Sequence, residues 1–159
     1  MKNDSREVLV FKLGQEEYAV DILKVQEIRG YEKVTAIPRS PDFLKGVVNL
    51  RGTIVPVIDL RVKFDLPNPT YDSLTVVIVL RIAGRIVGAV VDGVSDVVQL
   101  APGDMKEPPR LGSIVDSSYL AGVATVGGRM ILTLDIEKLL SAGELNLLGA
   151  AVGSTAAAS

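Results

Sequence analysis

Two fifteen-residue stretches constrain this chain more tightly than any other feature: Gly46–Leu60, GVVNLRGTIVPVIDL, and Gly122–Ile136, GVATVGGRMILTLDI. Each is a pair of short apolar runs joined at a glycine and closed by an Asp. Such runs, rich in Val, Ile and Leu, are strand-like, and the glycine supplies the positive φ that a tight hairpin turn needs. Set side by side, Gly46 matches Gly122, Val47 matches Val123, Gly52 matches Gly128 and Asp59 matches Asp135, with most other pairs apolar for apolar. A second hairpin pattern opens each half, VLVFKLGQEEYAVDI in the first and VVIVLRIAGRIVGAVVD in the second. The pattern predicts a mainly all-β chain of two similar small barrels, with a helical turn capped by the Asp after each later hairpin. Two hairpins built independently to one recipe are the other reading of so short a repeat.

Between these landmarks the chain reads in order. Val8–Leu13 and Tyr18–Ile22 predict an opening hairpin. In DILKVQEIRG, residues Ile22, Val25 and Ile28 recur at three-residue spacing, which predicts a short amphipathic helix ended by Gly30. Val34–Ile37 predicts a strand, and Pro38 and Pro41 bracket a loop. The cluster LPNPT, Leu66–Thr70, is the candidate joint between the halves. Further on, APGDMKEPPRLGS reads as a loop, and Ile136–Leu140 begins a helix. Beyond Gly143 the residues fall mostly to Ala, Gly, Ser and Thr. The expected division is a flexible amino terminus over 1–6, one domain of two barrel subdomains over 7–142 with its joint near 66–72, and a low-complexity, disordered tail over 143–159.

Composition narrows the chemistry. The chain has no Cys and no His, which removes disulfides, thiolate or imidazole metal sites and every Ser-His or Cys-His arrangement. Net charge is −2 and aromatics are 4%, so the basic and aromatic footprint of a nucleic-acid binder is missing. The start, MKNDSREV, has no apolar stretch behind a basic segment, and no apolar run approaches the ~20 residues of a membrane helix. A cytoplasmic protein without cofactor or metal is expected.

Few residues offer catalysis. Asp92 and Asp96 stand four apart in VVDGVSDVV, a spacing at which paired carboxylates could divide acid and base work, but beside a glycine at a strand end turn roles fit better. Neither AGR nor VGGRM carries a phosphate-binding fingerprint. Binding surface is what remains. Val25, Ile28, Val76 and Val97 are candidate walls of a groove between the barrels, and Glu27 and Arg29 read as a solvated face. Arg51, a permanent cation at the tip of an almost wholly apolar hairpin, is either a solvated turn residue or a partner contact. Its counterpart in the second stretch is Gly127, so that turn needs no Arg to fold, which favours the contact.

The run DILKVQEIRGYEKVTAIPRSPDFLKGVVNLRGTIVPVIDLRVKF, Asp21–Phe64, resembles the CheW-like family of bacterial chemotaxis coupling proteins. The likeness continues through TVVIVL, GRIVGAVVDGVSDV and YLAGVATVGGRMILTLDIEKLL, and so covers most of the chain. It implies two five-stranded SH3-like barrels packed together. It also implies an adaptor without enzymatic activity, recruited to membrane-associated chemoreceptor arrays. The groove between the barrels would receive the cytoplasmic hairpin tip of chemoreceptors, with Val25, Glu27, Gly46, Arg51, Val76 and Val97 facing it. A separate surface would pair with the CheW-like regulatory domain of the histidine kinase CheA, to which Lys106 and Leu111 could contribute. A relative serving a non-flagellar chemosensory pathway, or a β-barrel module for another ligand, is the alternative.

Overall fold

The structure, a computed structural model, describes residues 6–66, 69–106, 119–140, 143, 144 and 146–149. Its strands are β1 (Arg6–Leu13), β2 (Glu16–Asp21), β3 (Val25–Gly30), β4 (Leu44–Leu50), β5 (Thr53–Asp59), β6 (Val76–Ile82), β7 (Arg85–Val91), β8 (Gly93–Leu100), β9 (Met105–Lys106), β10 (Leu120–Val126) and β11 (Arg129–Leu134). One short helix, α1 (Leu60–Lys63), and three 3-10 turns complete the named elements. Three hairpins turn through two residues of positive φ: Arg51-Gly52 (52° and 90°), Ala83-Gly84 (50° and 77°) and Gly127-Gly128 (55° and 81°). That geometry matches the right-handed twist of the flanking strands.

The strands form a six-stranded sheet, β8-β1-β2-β11-β10-β9, and a five-stranded sheet, β3-β6-β7-β5-β4. The two SH3-like subdomains are present, but neither is built from one half of the chain. The opening hairpin β1–β2 lies parallel to β11 of the last hairpin, and β7 lies parallel to β5 of the first half. Strand β3 is likewise exchanged, pairing with β6, while β8 returns to β1. Residues 66–72 therefore connect α1 to β6 within the five-stranded subdomain, and the joint expected there does not separate the barrels.

Strands β1 and β6 bury both faces, which is why VLVF and VVIV read as unbroken apolar runs. Leu9, Phe11 and Leu13 of β1 meet Ile78, Leu80 and Ile82 of β6 in one cluster shared by the two sheets. Val8 and Val10 face the interior of the six-stranded barrel, and Val77 and Val79 that of the five-stranded one. Each large aliphatic side chain buried this way contributes about 1.5–3 kcal/mol.

The glycines that open the repeat have one cause. A Cβ on Gly46 would sit 2.1 Å from the carbonyl oxygen of Thr35, and one on Gly122 would sit 2.6 Å from that of Lys106. Thr35 bridges Val47, and Lys106 pairs with Val123, the residue equivalent to Val47. In both hairpins only a hydrogen fits under the backbone that crosses there. The capping Asp residues also correspond: Asp59 Oδ1 accepts from the Arg61 N–H at 2.9 Å, and Asp135 Oδ1 from the Glu137 N–H at 3.1 Å.

Three local expectations give way. Asp21–Gly30 is not a helix: a 3-10 turn, Ile22–Lys24, leads straight into β3. Within Val34–Ile37 only Thr35 makes a bridge, so no strand forms there. Residues 143, 144 and 146–149 are helical, and Leu148 is 1% exposed within the shared core, so this part of the expected tail is packed. Leu148 is the buried anchor of this segment, whereas its neighbour Leu147 is 37% exposed.

Candidate functional site

Strands β3 and β8 are edge strands, each bulged where it passes its neighbour. The β3–β6 register skips Gln26 between Val25 and Glu27, and the β8–β1 register skips Ser95 between Val94 and Asp96. A bulge inserts one residue and turns the next side chains back to the opposite face. Val25 and Ile28 therefore share a face, as do Val94 and Val97. Ile28 pairs with Ile78 and Val97 with Leu9, both partners lying in the shared core. Ile28 is 46% exposed and Val97 50%. These two equivalent apolar residues stand at the margin of the core joining the subdomains.

Beside each stands a carboxylate clasped by an arginine from a hairpin end. Glu27 Oε1 accepts from Arg51 Nη2 at 2.9 Å, and the Arg51 side chain is 71% exposed. Asp96 pairs with Val10, inside the six-stranded barrel, as Glu27 pairs with Val79 inside the other. Both Asp96 oxygens accept from Arg129 at 3.0 Å, and Glu17 accepts from the same guanidinium at 2.7 and 3.1 Å. Arg129 holds both carboxylates below their usual range, its hydrogen bonds being the largest cause. The second hairpin thus carries its own cation two residues beyond Gly127, outside the Gly127-Gly128 turn itself. What differs is conformation. Arg51 occupies a left-handed position, at φ 52°, that its counterpart fills with glycine.

A second polar cluster lies deeper. Arg61 is 2% exposed and Asp59 0%. Arg61 forks onto both oxygens of Asp59 and reaches Asp92 Oδ1 at 2.9 Å and the Thr70 carbonyl. Asp92 Oδ2 also accepts from the Gly14 N–H at 2.7 Å, tying the β1–β2 turn to α1. The Tyr71 hydroxyl donates to Asp59 Oδ2, and its ring stacks 4.9 Å from the Arg61 guanidinium. Burial pushes the Asp59 carboxyl up, but the bonds from Arg61 and Tyr71 outweigh it and hold it below the usual range. Burial and the bond to Asp59 push the Tyr71 hydroxyl well up. Asp92 and Asp96 are each engaged by a different arginine and do not form a carboxylate pair.

Of the residues singled out in the sequence, the structure brings Glu27 and Arg51 into contact. Val25 and Val76 are half-buried against the shared core, toward opposite ends of the β3–β6 ladder. Val97 is exposed on β8. Gly46 is buried beneath Thr35, so it is a packing residue with no surface to offer. Glu27 and Arg29, read as a solvated face, are paired with each other at 3.8 Å and are both half-buried. Lys106 is exposed on β9, at the edge of the six-stranded sheet, and Leu111 lies outside the described residues. Sequence reasoning missed Arg129 and Arg61. Arg129 was findable by looking for a cation near each hairpin tip instead of at the aligned position; nothing local marks Arg61 as buried.

Residues 7–144 match the CheW-like domain family. The chain is 54% identical over 143 residues to the chemotaxis protein CheW of Klebsiella aerogenes, covering 90% of this chain and 86% of that one. It is 33% identical over 144 residues to the probable chemotaxis protein CheW of Rhizobium etli, covering 91% and 93%. Among solved structures, the scaffolding protein TtCheW of Thermoanaerobacter tengcongensis superposes with a TM-score of 0.79 at 31% identity, covering 87% of this chain and 94% of that one.

Proposed function

The chain belongs to the CheW-like domain family, and on that premise we propose that it is a non-enzymatic adaptor coupling chemoreceptors to the histidine kinase CheA. The observation that carries the receptor half of this reading is the equivalence of Ile28 and Val97. Two exposed apolar side chains on edge strands flank one shared core, each beside a clasped carboxylate. Exposed apolar residues at such a margin mark a docking surface. The receptor's cytoplasmic hairpin tip lies here, against Val25, Glu27, Arg51, Val76 and Val97. Gly46 supports this face from beneath.

The kinase's CheW-like domain binds elsewhere, and the exposed edge strand β9 with Lys106 is the surface assigned to it. The candidate carboxylates, spent on arginines, support a role in binding and not in catalysis. Among the described residues no helix is long and apolar enough to cross a membrane; in this reading binding to the receptors brings the protein to the membrane. Coupling then means that receptor and kinase contacts differ in strength between the kinase-on and kinase-off arrays.

The test combines the purified protein with a receptor cytoplasmic fragment and CheA and measures kinase autophosphorylation. Activation that requires all three components is expected. If the protein binds neither the receptor fragment nor CheA, the coupling role is wrong.

A further inference from the structure

We propose that Arg129 is a positioning residue: by bridging Asp96 and Glu17 across the mouth of the six-stranded barrel, it fixes the β8 edge and presents Val97 as the rigid wall of the docking margin. The inference rests on the receptor reading above.

Strand β8 is an edge strand, paired only with β1 and interrupted by the bulge at Ser95, two residues before Val97. A ladder on one side leaves such a strand free to shift at its bulge. Besides the bond from the Ser95 side chain to Glu17, Arg129 supplies the charged restraint. It starts at the end of β11, grips Glu17 on β2 and ends on Asp96 of β8, so one planar guanidinium joins three strands with four hydrogen bonds. Bidentate contacts of this kind fix direction as well as distance, unlike a single exposed ion pair.

The equivalent edge is tied more loosely: its bulge residue Gln26 accepts a single bond from Arg81 of the adjoining β6, at 3.2 Å. Across β1–β2 Lys12 faces Glu17, and across β6–β7 Arg81 faces Ile86, so an isoleucine stands where the second carboxylate would be. Glu27 receives one hydrogen bond from Arg51, whose side chain is 71% exposed and which stands in a left-handed turn conformation, and pairs at 3.8 Å with Arg29 of its own strand. The two margins therefore differ in stiffness although their apolar residues correspond: a two-carboxylate fork holds the strand of Val97, and single bonds from Arg51 and Arg81 hold that of Ile28. Substitution at Arg129 acts on partner binding through Val97.

The experiment pairs hydrogen exchange with a double-mutant cycle on receptor-fragment binding, using Arg129→Met and Val97→Ala in the full chain. In Arg129→Met, amides of residues 94–98 are expected to exchange about tenfold faster while β6 and β7 keep their protection. Kd for the fragment rises about five- to tenfold in either single variant, and the double variant stays within about twofold of Val97→Ala alone, because the residues act in series. Arg129→Lys, which keeps the charge without the fork, falls between wild type and Arg129→Met. Losses that multiply in the double variant, or unchanged exchange in β8, overturn the proposal. If Arg129→Met does not fold, Asp96→Asn with Glu17→Gln removes the same clamp from the other side and is judged by the same two readouts. If the wild type itself binds no receptor fragment, the receptor reading has failed. The exchange data then decide alone whether Arg129 holds β8.

Discussion

Oδ1 of Asp59 accepts from both the backbone N–H and the Nε of Arg61, at 2.9 and 3.0 Å, while Oδ2 accepts from its Nη2 at 3.0 Å, all out of contact with water. Removing one partner of such a pair leaves an uncompensated charge in a low-dielectric site. Asp59→Asn is therefore expected to lower the unfolding free energy by about 3–5 kcal/mol, measured by urea denaturation. A loss below about 1 kcal/mol would mean that Asp92 alone satisfies Arg61.

Acid acts on the same groups. Asp59, Asp96 and Glu17 all have native carboxyls below their ordinary range, so the unfolded chain takes up protons first as the pH falls. Their contribution is complete above the unfolded value, about 4, and is lost as the pH drops through the lower native values. With no His in the chain, unfolding free energy should be nearly flat from pH 7 to about 5 and decline below about 4. Stability that rises on going to pH 3 would contradict the assignment.

Gly46 combines a φ of +151° with a Cβ position 2.1 Å from the Thr35 carbonyl oxygen. Gly46→Ala is expected to cost about 3 kcal/mol or more, and Gly46→Asp more still, from overpacking against backbone. Gly122→Ala, with 2.6 Å at the Lys106 carbonyl, should be milder. Melting curves decide the matter: a Gly46→Asp variant of wild-type stability that loses only receptor binding would return Gly46 to the docking face.

Arg51→Gly copies the second hairpin. It relieves a left-handed non-glycine residue and removes one exposed ion pair, two effects of opposite sign and similar size, so stability should stay within about 1 kcal/mol of wild type. Receptor-fragment affinity should fall. Intact affinity together with intact stability would leave Arg51 a plain turn residue.

Leu148 anchors the helical residues near the carboxyl end in the shared core. Leu148→Ala is expected to cost about 2–5 kcal/mol in chemical denaturation. A variant indistinguishable from wild type would show that this segment packs only weakly in solution.

The hairpins, their turn glycines and the Asp caps were legible because each is a local recipe in which a few adjacent residues decide the backbone. The misreading of β3 as a helix has an equally local cause. A bulge at Gln26 inserts one residue into an alternating strand, so Val25 and Ile28 face one way at three-residue spacing, the signature of a helix turn. The same bulge recurs at Ser95 between Val94 and Val97. Arg61 was illegible for the opposite reason. Its partners Thr70 and Asp92 lie 9 and 31 residues away, and no local pattern distinguishes a buried arginine from a solvated one. The exchange of β3 and β8 was beyond pattern reading too, since strand character does not name a strand's neighbour.

The parallel pairing of β2 with β11 bears on how the protein is made. β2 ends at Asp21 and β11 begins at Arg129, so this edge of the sheet stays open until the residues between them have been synthesised. At roughly 5–20 residues per second, β2 waits some 5–20 s for the hairpin that covers it. Until β10 and β11 emerge, β1 is already paired with β8 and packed on β6, while the outer edge of β2 stays unpaired beside a five-stranded sheet whose members all lie between Val25 and Val91.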